Sequence, residues 1–169
     1  MSRRPASNRW LQRQQRDHFV RQAQQSEYRS RAVYKLQEID KRDRLIQPGT
    51  CIIDLGAAPG SWSQYAISRT GQPGKVIAVD CLAMAPIDNV LFIQGDFTKQ
   101  ETFDRCMECI GDSPVDLVLS DMAPNITGIR STDQARSMYL AELTKDLATR
   151  VLKQEGDLLI KLFQPGCRP

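Results

Sequence analysis

Apolar residues fall in short continuous runs separated by amphipathic stretches. Five runs stand out: Cys51-Ile52-Ile53-Asp54-Leu55, Lys75-Val76-Ile77-Ala78-Val79-Asp80, Val90-Leu91-Phe92-Ile93-Gln94, Val115-Asp116-Leu117-Val118-Leu119-Ser120-Asp121 and Asp157-Leu158-Leu159-Ile160-Lys161-Leu162-Phe163. Continuous rather than alternating apolar character predicts strands buried on both faces. Between the runs, the pattern predicts helices over about 62–69, 98–110 and 132–153. Upstream, Val33, Leu36 and Ile39 form one stripe of a helix over 30–42, with Ser30 as its cap. Residues 7–25 read as a further helix capped by Ser7, and Pro48-Gly49 ends this region. Strands alternating with helices predict a parallel, doubly wound α/β sheet. Such a sheet binds ligands outside the carboxyl ends of its strands.

Composition agrees with one folded unit. The chain has 169 residues, 41% hydrophobic and 25% charged, ordinary values for a globular protein. No run approaches the ~20 apolar residues that span a bilayer, and the basic start at Met1–Pro5 has no apolar segment behind it. A cytoplasmic protein without a membrane span is expected. Five cysteines, an odd number, argue against a disulfide framework. Cys106 and Cys109 form a lone C-x-x-C inside a helical pattern, and the single histidine, His18, is far away in sequence. They read as helix residues, and no metal is expected.

Charge is distributed unevenly. Residues 1–50 hold 12 of the 23 Lys and Arg but only five of the 20 Asp and Glu. A basic N-terminal region suggests a polyanionic partner, although a solvated basic helix would show the same pattern. Trp10 and Tyr28 lie among these charges and could stack on bases or pack on the core. This divides the chain into a basic helical extension, residues 1–48, and a sheet-forming region, residues 49–169, within one structural unit.

The candidate chemistry sits at the strand ends. The first strand runs into Gly56-Ala57-Ala58-Pro59-Gly60. This is not the dinucleotide fingerprint, because Ala58 replaces the middle glycine and Pro59 removes an N–H that a pyrophosphate would use. A nucleoside without phosphates fits better. Asp80 ends the second strand, where an acidic residue can hydrogen-bond ribose hydroxyls. Gly95-Asp96-Phe97 follows the third, where the carboxylate could accept from an exocyclic amine and the ring pack on the base. Alone, each aspartate would read as a solvated strand end.

Asp54-Leu55-Gly56-Ala57-Ala58-Pro59-Gly60-Ser61-Trp62-Ser63-Gln64 resembles the cofactor loop of the FtsJ (RrmJ, RlmE) family of 23S ribosomal RNA 2′-O-ribose methyltransferases. Ser30-Arg31-Ala32-Val33-Tyr34-Lys35-Leu36 is similar to that family's N-terminal lysine motif. Ser120-Asp121-Met122-Ala123-Pro124-Asn125 is similar to its aspartate motif, and Ile160-Lys161-Leu162-Phe163-Gln164 to its second-lysine strand. The motifs occur in family order from about Arg9 to Gln164. The resemblance implies a Rossmann-like, class I S-adenosylmethionine-dependent methyltransferase, with residues 1–48 as its basic RNA-binding extension and residues 49–169 as its cofactor-binding catalytic domain. It implies S-adenosyl-L-methionine contacts at Gly60, Trp62, Asp80, Asp96 and Asp121. It also implies catalysis by Lys35, Asp121 and Lys161, with Lys161 as general base on a uridine ribose. The implied partner is ribosomal RNA of the large subunit, met by a monomer, with no DNA. Burial against Leu162 and Phe163, and the charge of Lys35, are expected to favour a neutral Lys161, while Asp121 opposes this. The family continues beyond Gln164 with a helix and two strands, the last bearing the glutamate of its Lys-Asp-Lys-Glu set. The resemblance therefore implies that these are missing and that the fifth strand is an apolar edge. Other functions remain open, in two groups. One is a catalytically impaired RNA- or cofactor-binding remnant, or a relative acting on transfer RNA or cap RNA. The other is a nicotinamide dehydrogenase, which Ala58 and Pro59 argue against.

Overall fold

The structure, a computed structural model, describes residues 28–162. The predicted helix over 7–25 and Phe163 lie outside them. In chain order the elements are α1 (Val33–Asp43), β1 (Cys51–Leu55), α2 (Ser61–Thr70), β2 (Lys75–Asp80), β3 (Val90–Gln94), α3 (Gln100–Ile110), β4 (Val115–Ser120), α4 (Arg130–Val151) and β5 (Leu152–Ile160). The five strands form one sheet in the order β3-β2-β1-β4-β5, and every pairing is parallel. This is the expected doubly wound arrangement, and β1 and β4 flank its topological switch point.

The continuous apolar strands are explained by the two cores they serve. Cys51, Ile53 and Leu55 of β1 point to one face, where Val118, Ile77 and Val79 meet Phe97, Cys106, Ile110 and Leu147. Ile52 points to the other, with Val76, Leu117 and Leu119 against Val33, Leu36, Trp62, Tyr65 and Ala66. Successive side chains of a strand alternate faces, so a sheet sandwiched by helices needs apolar residues at every position. Cys106 is fully buried, and the apolar surroundings push its thiol up to about 12. Among the described residues no helix is long and apolar enough to cross a membrane.

Helix α1 is anchored through a buried carboxylate. Asp40, 2% exposed, accepts from Ile46 N–H at 2.8 Å, from the Tyr65 hydroxyl at 2.7 Å and from Arg69 Nε at 3.3 Å. It joins the end of α1 to α2. Burial and this carboxylate push Tyr65 up to about 12.

Three local expectations are corrected. Helix α1 begins at Val33, and Ala32 holds the cap position without a side-chain cap. Ser30 lies two residues earlier: its Oγ accepts from Ala32 N–H at 3.3 Å and lies 2.8 Å from Ser61 Oγ of α2. Strand β5 spans 152–160 rather than 157–163. A register irregularity between Val115 and Leu117 accommodates its polar first half. The Phe97 ring is buried against the sheet, 6.1 Å from the Phe103 ring, so it packs in the core and not on a base.

Candidate active site

The rim at the carboxyl ends of the strands is built from turns that follow each strand. The first turn, after β1, requires glycine at residue 56. Gly56 has φ +76°, and a Cβ there would lie 2.7 Å from the backbone nitrogen of Met122. The turns after β1 and β4 therefore meet main chain to main chain. Gly60, with φ +107°, opens α2. Asp80 supports this turn from the neighbouring strand: Oδ2 accepts from Ala58 N–H at 2.9 Å and Oδ1 from Leu82 N–H at 2.8 Å.

The strand order places the chemistry in a row. From one edge of the sheet to the other come Asp96 after β3, Asp80 at the end of β2, the glycine turn after β1, Asp121 after β4 and Lys161 after β5. The sheet's hydrogen bonding continues into this row, as Asp121 N–H donates to Leu55 O at 3.0 Å and Lys161 N–H to Ser120 O at 2.9 Å. The Lys161 ammonium donates to Asp121 Oδ1. The loop that carries Asp121 is tied down farther along: Asp133 accepts from Thr127 N–H at 2.8 Å and from Gly128 N–H at 3.1 Å.

The predicted residues differ in how they enter this row. Asp121 and Lys161 are brought together. Asp96 is exposed, and its Oδ1 accepts from Thr98 Oγ1 at 2.7 Å and Thr98 N–H at 2.9 Å. Those bonds hold its carboxyl below the usual range. Lys35 is exposed on α1 and pairs with Glu38 at 3.1 Å. Trp62 is 4% exposed, and its indole donates to Ala32 O at 2.8 Å. Its ring therefore belongs to the core, leaving its backbone, in the first turn of α2, as the part able to meet a ligand. The expected burial of Lys161 is not found: its side chain is 60% exposed, and Leu162 beside it is 47% exposed.

Sequence reasoning overlooked Asp54. It is fully buried in β1, accepts from Ser63 Oγ at 2.6 Å, and leaves Oδ1 without a hydrogen-bond partner. Burial pushes its carboxyl up to about 7, and the charges of Asp121 and Asp80 add to the effect. The available signal was a carboxylate inside an otherwise apolar strand, which is costly unless the group is neutral or paired.

This set of groups suits a nucleoside ligand that carries positive charge. Carboxylates can take ribose hydroxyls, Pro59 removes a phosphate donor, and a buried, partly unsatisfied acid lies beneath the turn. The profile of the FtsJ-like methyltransferase family matches residues 28–168. The chain belongs to that family. FtsJ-like relatives include ribosomal RNA large subunit methyltransferase E of Pseudomonas aeruginosa. It is 55% identical over 164 residues, covering 97% of this chain and 79% of that protein. A solved structure described as a ribosomal RNA methyltransferase from Plasmodium falciparum superposes with TM-score 0.75 at 32% identity, covering 82% of this chain and 80% of that one. A short chain dehydrogenase family protein from Francisella tularensis shares the fold alone, at 13% identity and TM-score 0.51 over 66% of this chain and 50% of that one. Family membership answers the dehydrogenase alternative.

Proposed function

We propose that this FtsJ-like chain methylates a ribose 2′-hydroxyl in large-subunit ribosomal RNA, using S-adenosyl-L-methionine. The observation that carries the reading is the Lys161–Asp121 pair on the rim beside the glycine turn. The printed names of the relatives supply the substrate class.

Gly60 and the backbone of Trp62 would hold the amino-acid end of the cofactor, Asp80 its ribose and Asp96 its base. The cofactor supplies an electrophilic methyl group on a positively charged sulfur. Lys161, in its neutral form, would receive the hydroxyl proton at Nζ as the ribose oxygen bonds to the methyl carbon and the carbon–sulfur bond breaks, its electron pair remaining on the sulfur. Asp121 orients that amine. Lys35, released from Glu38, holds the target nucleotide, while exposed arginines of the basic N-terminal region hold phosphates. Alignment and proton removal together are what such a displacement demands of a protein.

The test is transfer of tritium from labelled S-adenosylmethionine to undermethylated large ribosomal subunits. Lys161→Ala is expected to lower transfer by about 100-fold or more while keeping cofactor affinity. Undiminished transfer in that variant would remove Lys161 as the base. Cofactor binding by calorimetry, with no transfer by the unaltered chain, would select the impaired remnant instead.

A further inference from the structure

We propose that Arg29 is a positioning residue that straps the glycine turn after β1 to the connection between β2 and β3; this rests on the reading that this turn takes S-adenosylmethionine. Its guanidinium donates through Nη1 to Pro59 O at 3.1 Å and Ala85 O at 2.6 Å, and through Nη2 to Pro86 O at 2.7 Å. Pro59 directly precedes Gly60. Ala85 and Pro86 belong to the connection between β2 and β3, which starts immediately after Asp80. One side chain thus grips both the glycine turn and the loop beside it.

Two further observations support this reading. A Cβ on Gly60 would lie 2.7 Å from Met84 Sδ, 2.8 Å from Ile87 Cδ1 and 3.1 Å from Arg29 Nη1. The 81–88 segment and the strap therefore press directly on the turn. Arg29 is itself fixed to α2, because its backbone N–H donates to Gln64 Oε1 at 3.2 Å. The neighbouring residues of its segment dock on α2 as well, through Ser30 and Ser61 and through Ala32 and Trp62.

The competing reading takes Arg29 as one more phosphate contact of the basic region. The two readings differ in what a lysine can replace. Lysine keeps the charge but lacks the planar fork that spans separate acceptors, and bonds from a charged donor are among the stronger ones. A phosphate contact should largely survive Arg29→Lys, whereas a strap should not.

The experiment compares the unaltered chain with Arg29→Lys and Arg29→Ala. In the free protein, amide hydrogen exchange over 57–64 and 81–88 is expected to quicken about tenfold in Arg29→Lys, and further in Arg29→Ala, while β1 and β4 are unchanged. Titration with S-adenosylhomocysteine should show about tenfold weaker binding, and in turnover the KM for S-adenosylmethionine should rise while kcat at saturation holds within about threefold. Filter binding to a ribosomal RNA fragment should be unaffected by Arg29→Lys. Exchange and cofactor affinity both equal to those of the unaltered chain would overturn the strap, whatever happens to RNA binding. If the unaltered chain fails to bind S-adenosylhomocysteine, the cofactor reading falls. The exchange comparison then still decides whether Arg29 joins the two loops.

Discussion

Asp54 makes a quantitative prediction about stability. An aspartate in an unfolded chain titrates near ~3.9, whereas burial holds the folded carboxyl at about 7. Between those values the folded protein keeps a proton that the unfolded chain has lost. The group therefore stabilises the fold fully below pH ~4, and that contribution declines as pH rises towards 7. At about 1.4 kcal/mol per pH unit, the whole contribution is roughly 4 kcal/mol, of which about 3 is lost between pH 5 and 8. Asp54→Asn keeps the shape and can still accept from Ser63, but it cannot ionise. Relative to the unaltered chain, Asp54→Asn is expected to be more stable by about 1–2 kcal/mol at pH 5 and by about 4 kcal/mol at pH 8, a gap that widens by about 3 kcal/mol across the range. Urea unfolding at half-unit steps across this range measures the difference, and groups that titrate alike in both proteins cancel. Parallel stability curves for the two proteins would refute the argument, because they would mean that Asp54 is ionised throughout.

Other expectations follow from single contacts. Asp40→Ala strands the buried Tyr65 hydroxyl and Ile46 N–H and should cost about 3 kcal/mol in urea unfolding, with Asp40→Asn milder. Gly56→Ala drives a Cβ into the backbone of Met122. It should lower the thermal midpoint by the equivalent of at least ~1–3 kcal/mol, which calorimetry would read. Asp133→Ala frees Thr127 and Gly128. Faster amide exchange over 121–129 is expected, with β4 itself unchanged.

The strands were legible because each is apolar at consecutive positions, and only a sheet covered on two faces makes that pattern useful. The rim aspartates were legible because they directly follow those strands. What escaped depended on side-chain direction or on partners distant in sequence. Phe97 looked like a wall for a base, but its ring turns inward to Phe103. Lys161 looked buried because its neighbours are apolar, yet its side chain extends into solvent and meets Asp121. The start of β5 was hidden by Lys153, Gln154 and Glu155, polar residues that mimic a loop. Arg29 was one arginine among many, and its carbonyl acceptors lie 30 and more residues away.

The hydrogen bonds from Asp121 N–H to Leu55 O and from Lys161 N–H to Ser120 O carry a consequence for divergence within this architecture. Adjacent strands lie ~4.8 Å apart, so the lateral pitch between acid and amine is inherited from the peptide backbone itself. Helices and outer loops can drift without altering that pitch, provided these rungs persist. A substitution that breaks a rung would change the spacing of Asp121 and Lys161 even with both side chains left in place.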